Sequence, residues 1–102
     1  MINNEQKIYS YIGLAMRAGK VVSGDDTTLK ELKKGKISLV IVADDASDNT
    51  KKLFKDKSSY RKINQIYFST KVELGLAIGK SPRAVIGIKD KSLASKITEL
   101  MQ

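Results

Sequence analysis

The chain has no histidine, no cysteine and only one proline. Without histidine, the usual general base near neutral pH is missing, and so is the commonest metal ligand. Without cysteine there is no disulfide framework and no thiolate metal site, which fits the cytoplasm. An enzyme here would have to work with Asp, Glu or Lys, so the expectation is a protein that is not an enzyme. No cofactor, metal or small-molecule substrate is expected. No apolar run approaches the ~20 residues that span a bilayer. The stretch Met1–Lys7 is polar and mixed in charge, unlike a secretory signal. Aromatic residues are few, 6%, and by sequence most of them look like core, so no base-stacking signature is visible.

What the chain has is positive charge. Nineteen Lys and Arg stand against eleven Asp and Glu, a formal net charge of +8. That is well past what solubility needs, and a small basic domain attracts polyanions, of which nucleic acid is the commonest. Hydrophobic residues make up 41% of 102 residues. This is ordinary for a globular protein and enough for one domain with one core, residues 1–102. There is no repeat, no low-complexity tract and no linker.

Helical and strand-like segments alternate. Ile8, Tyr11, Ile12 and Ala15 recur at helical spacing, with Gly19 as a stop. Val21 and Val22 form a very short strand. Gly24 to Lys34 reads as a second helix with Leu29 and Leu32 inward and Gly35 as its stop. Leu39 to Ala43 is a continuous apolar, β-branched run, expected as a strand buried on both faces. Ser47, Asp48 and Asn49 offer caps for a third helix, to Lys62, anchored by Leu53 and Phe54. Ile66 to Phe68 is the next strand. Thr70 and Glu73 have capping-box spacing for a fourth helix with Leu74, Ala77 and Ile78 inward. Ala84 to Ile88 is the last strand, and Asp90 caps a closing helix with Leu93, Ile97 and Leu100. Such alternation predicts an α/β chain, its sheet covered by helices on both faces.

Four constellations invite a functional reading. Around Ser23-Gly24-Asp25-Asp26-Thr27-Thr28 a helix start offers amides and a positive dipole end to phosphate. Arg17 and Lys20 precede it, and Lys30, Lys33 and Lys34 follow. The plain alternative is capping, with Asp25 and Asp26 offsetting the dipole. Gly79-Lys80-Ser81 is like the end of a phosphate-binding P-loop, but Leu74 stands where that motif needs glycine. It reads instead as a helix stop and an exposed basic loop, where Lys80 and Arg83 can meet phosphates. The basic positions Lys51, Lys52, Lys55, Lys57, Arg61 and Lys62 read mainly as a solvated helix face. Asp44, Asp45 and Asp48 could hold a divalent metal, yet turn and capping roles account for them better.

Three stretches carry a resemblance: LAMRAGKVVSG (Leu14 to Gly24), KGKISLVIVADDAS (Lys34 to Ser47) and STKVELG (Ser69 to Gly75). In order and spacing the chain resembles the kink-turn-binding ribosomal proteins, the L-seven-Ae and L-thirty-e family, most closely its bacterial YlxQ-type branch. The resemblance implies a three-layer α/β/α sandwich around a mixed four-stranded sheet. It implies RNA binding without catalysis, at the start of the second helix, with help from the loop before the last strand. Family binders begin that helix Gly-x-Asn-Glu, with a lysine three residues after the Glu. Gly24 and Lys30 match; Asp26 and Thr27 replace the Asn and Glu. Ionised aspartate only accepts, and threonine reaches less far than glutamate. Each lost base contact costs about 1–3 kcal/mol by analogy with groove readout. Family binders also place apolar residues in the loop where Lys80 to Arg83 stand here.

The expected partner is therefore a structured RNA, ribosomal or otherwise translation-associated, bound by a monomer. Gly24, Asp26, Thr27 and Lys30 would line the bend, and Arg17, Lys20, Lys33, Lys34, Lys80 and Arg83 would meet phosphates. The competing reading is a protein-interaction scaffold in ribosomal or transcription–translation assemblies, with weak nonspecific RNA binding.

Overall fold

The computed structural model describes residues 3–102; Met1 and Ile2, the start of the polar N-terminal stretch, lie outside them. The elements in chain order are α1 (Asn4–Arg17), β1 (Val21–Ser23), α2 (Asp25–Lys33), β2 (Leu39–Val42), α3 (Asp48–Tyr60), β3 (Asn64–Tyr67), α4 (Lys71–Ala77), β4 (Val85–Ile88) and α5 (Lys91–Leu100). The strands form one sheet in the order β1-β4-β2-β3. Only β2 and β3 run parallel, with Ile41 opposite Ile66; β4 is antiparallel to both neighbours. The parallel pair needs a crossover, and α3 supplies it.

Helices α1, α4 and α5 cluster together, and α2 and α3 pair with each other. The sheet between these two layers makes the expected α/β/α sandwich of mixed strands. Its central strands are apolar on both faces for that reason: every residue of β2 and β4 is buried. Ile8, Ile12 and Ala15 seal one side, and Leu32 and Phe54 the other.

Several local expectations shift. Thr70 accepts from the Glu73 amide, but no reciprocal bond from the Glu73 side chain completes the box. The full capping box belongs to α1, between Asn3 and Gln6. The third strand begins earlier, at Asn64, because its parallel pairing with β2 starts there, opposite Leu39, and it ends at Tyr67, one residue before the buried Phe68. On α2 the inward residues are Thr28 and Leu32, with Leu29 only partly covered. The reason lies across the interface, at Gly87. A Cβ there would stand 2.7 Å from Ile37 Cδ1 and 3.3 Å from Thr28 Cγ2, so α2 lies directly on the bare backbone of β4. Among the described residues, no helix is long and apolar enough to cross a membrane.

Candidate functional site

The first amides of a helix have no partner within it and need one from elsewhere. For four of the described helices a side chain supplies it. Asn3 accepts from Gln6, Ser47 from Thr50, Thr70 from Glu73 and Asp90 from Leu93. Helix α2 has no side-chain cap. Its N-cap is Gly24, at φ 88° and ψ 154°, a conformation essentially confined to glycine. The neighbouring side chains are held elsewhere. Ser23 Oγ accepts from Arg83 Nε at 3.1 Å, and Asp25 Oδ2 accepts from Thr50 Oγ1 at 3.2 Å. The first amides of α2 are therefore left without a side-chain acceptor, while Asp25 and Asp26 in the first turn offset the positive end of its dipole. Asp26 and Thr27 are exposed there. Asp25 keeps its place in the first turn and has a second role: its carboxylate accepts from Thr50 and ties α2 to the start of α3.

The loop before β4 is fastened to this same corner. The Gly24 amide donates to the Val85 carbonyl at 3.1 Å, and the Arg83 amide to the Lys71 carbonyl at 3.0 Å. Arg83 Nη1 donates back into its own loop, to Ser81 Oγ at 2.8 Å and to the Pro82 carbonyl at 3.2 Å. The loop that carries Arg83 is therefore braced and not free. Several of the Arg83 donors brace it and join it to Ser23. Lys80, by contrast, stays exposed. Gly75 lies under the loop: a Cβ there would fall 2.3 Å from the Ser81 carbonyl oxygen.

Lys30 stands one turn along from Asp26 and Thr27, at spacings that share a helix face, and is exposed with them. Lys33 and Lys34 lie at the C-terminal end of α2, roughly 13 Å from Gly24 and about 5 Å beyond Lys30 at 1.5 Å per residue. Lys34 Nζ is 4.0 Å from Glu31. A hydrogen bond from Lys89 holds the Glu31 carboxyl below the usual glutamate range, against a smaller opposing effect of desolvation; the charges of Lys89, Lys34 and Lys36 add to the lowering.

Arg17 and Lys20 do not join the corner. Lys20 precedes β1 and its carbonyl accepts from the Lys89 amide at 2.8 Å, whereas Gly24 follows β1. An extended strand carries the chain about 3.3 Å per residue, so the two glycine- and lysine-bearing ends stand on opposite edges of the sandwich. Nearness in sequence had grouped residues that a strand separates. Thr50 and Gly75, which shape the corner together with Ser23, were not legible as site residues. Only Gly75 gave a signal, as a glycine inside a helix pattern.

The basic face of α3 is real and carries an unexpected element. Tyr60 and Tyr67 are exposed, not core, with Arg61 and Lys51 lying 5.3 and 5.7 Å from their respective ring centres. The aspartates act as turn and capping groups: Asp45 Oδ1 accepts from the Lys71 amide at 2.9 Å and Asp48 opens α3.

Residues 6–98 match the family model described as the ribosomal protein L7Ae/L30e/S12e/Gadd45 family. The chain is 46% identical to the RNA-binding protein YlxQ of Enterococcus faecium, over 97% of this chain and 95% of that one. It is 39% identical to the RNA-binding protein YlxQ of Bacillus subtilis (strain 168), over 91% and 93%. Among solved structures, a protein with unknown function from Bacillus halodurans C superposes with a TM-score of 0.90 at 37% identity, covering 93% of this chain and 96% of that one.

Proposed function

The chain belongs to the ribosomal protein L7Ae/L30e/S12e/Gadd45 family, and from that premise we propose that it is a non-catalytic RNA-binding protein gripping a sharply bent, kink-turn-like RNA at the start of α2. The observation that carries this reading is the open N-terminus of α2, the described helix start without a side-chain cap. Gly24 leaves room for a close backbone approach, and the outward amides suit phosphate or base acceptors. Asp26 and Thr27 line the bend. Lys30 and Lys80 meet phosphates on either side of it, and Lys33 and Lys34 extend the track along α2. Arg83 fixes the loop against Ser23 so that both halves of the grip hold one geometry. The RNA is placed in the translation apparatus, and the protein acts there as a cytoplasmic monomer.

Asp26 sets the mode of binding. Asp26 offers no donor to a base edge and opposes nearby phosphate, so base readout contributes less here and shape and charge contribute more. Binding should then depend steeply on salt. Lys30→Ala should weaken binding of a kink-turn RNA and reduce the log–log salt slope by about 0.7–0.9, one phosphate contact. Lys55→Ala, on the exposed face of α3, should leave the slope nearly unchanged. Filter binding across a salt series measures both. Equal slopes for wild type and Lys30→Ala would remove α2 from the interface.

A further inference from the structure

We propose that the opposite pole of the molecule is a second RNA site, which takes the phosphodiester backbone of a segment distinct from the one held at α2. The N-terminal ends of β2 and β3, the C-terminal end of β4 and one side of α5 enclose an open groove of about 850 Å³. Lys20, Lys36, Lys89 and Lys91 line it, with Ser38 and Asn64 as neutral hydrogen-bonding groups. One carboxylate, Glu99, is in the wall. Lys89 is engaged by Glu31 at 3.3 Å. Lys20, Lys36 and Lys91 are exposed and make no ion pair among the described residues. The nearby Asp90 carboxylate is occupied as the α5 cap, accepting from the Leu93 amide at 2.8 Å.

The lining decides the class of ligand. A protein partner seeks aromatic or long aliphatic anchors at the centre of its contact. Here the apolar lining is Ile37, Ile63 and Ala94, and Ile37 and Ala94 are already buried. No aromatic ring lines the groove, so bases have nothing to stack on. What remains is a set of lysines around hydroxyl and amide groups, which suits phosphate oxygens and is indifferent to sequence. The site is separate from the α2 corner, because β1 runs the depth of the sheet between Lys20 and Gly24. A protein with an RNA grip at each pole would clamp two segments of one folded RNA, or two RNAs.

The test uses the full chain and a short, fully paired RNA hairpin with no internal loop, which offers backbone but no bend. Lys20→Gln, Lys36→Gln and Lys91→Gln are combined; all three positions are exposed, so the fold is kept. The variant should bind the hairpin at least tenfold more weakly, with a salt slope smaller by about 2–3. It should bind an isolated kink-turn within about twofold of wild type. In the wild type, hairpin-induced amide shifts should fall at Lys20, Lys36 to Ser38, Asn64 and Lys91. Hairpin affinity unchanged in the triple variant, or hairpin shifts confined to α2 or α3, would overturn the second site and leave the first standing. Poly-glutamate moving the groove amides as strongly as the hairpin does would overturn the assignment to RNA. Loss of kink-turn binding by Lys30→Ala with hairpin binding retained separates the two sites in the other direction.

Discussion

At the scale of single residues, the site depends on what is kept away from the start of α2. Asp25 read as a capping residue in the sequence and Ser23 as part of the helix start, and both are engaged by side chains from elsewhere, Thr50 and Arg83. That engagement is invisible in a linear reading, because the partners lie 25 and 60 positions away. Asp26 and Thr27 were legible, and they carry a prediction. Asp26→Asn combined with Thr27→Glu supplies a base-edge donor and a longer acceptor. Each regained contact is worth about 1–3 kcal/mol, so kink-turn affinity should rise tenfold or more in calorimetry while a plain duplex binds as before. Thr28 carries a second. Its side chain is fully buried on β4, and Oγ1 has no hydrogen-bond partner in the structure. Thr28→Val keeps the shape and removes the unpaired hydroxyl. Urea denaturation should show about 1 kcal/mol of added stability, and a loss of stability would mean the hydroxyl is satisfied.

At the scale of elements, the alternation of helices and strands was readable because each has its own apolar period. The continuous run Leu39 to Ala43 announced a strand covered on both faces, and β2, Leu39–Val42, is buried at every position. Gly19, Gly35 and Gly79 marked the helix ends correctly. What could not be read was how elements meet. Thr28 faces inward since Gly87 gives it room, and a hydroxyl-bearing residue does not declare itself as core. Arg83 read as a cation of an exposed loop, and its Nε and Nη1 also donate to Ser23 and within the loop. The loop's position depends equally on Gly75. In Gly75→Ala the added carbon meets backbone at 2.3 Å, with the Lys80 carbonyl oxygen at 2.9 Å, so the loop must move. We expect a cost of about 1–3 kcal/mol on thermal unfolding, large amide shifts for Lys80 to Arg83, and weaker kink-turn binding. Unaltered loop resonances would show that the loop yields without consequence.

At the scale of the whole molecule, a net charge of +8 pointed to a polyanion but not to where it binds. Folding distributes that charge. The lysines of α2 lead away from the open helix start, Arg17 and Lys20 go to the far edge of the sheet, and α3 keeps its own basic face, with Tyr60 exposed at its end and Tyr67 of β3 exposed beside Lys51. Composition alone therefore admits three surfaces, and the central claim is that a bent RNA chooses the α2 corner. Backbone amide shifts on titrating the ¹⁵N-labelled full chain with a kink-turn RNA test that claim most directly. The predicted result is that the largest changes fall on Gly24, Asp25, Asp26 and Thr27, with Lys80 to Arg83 following. If those amides stay in place while Lys51 to Lys62 move, the RNA lies on α3 and the proposed grip is wrong.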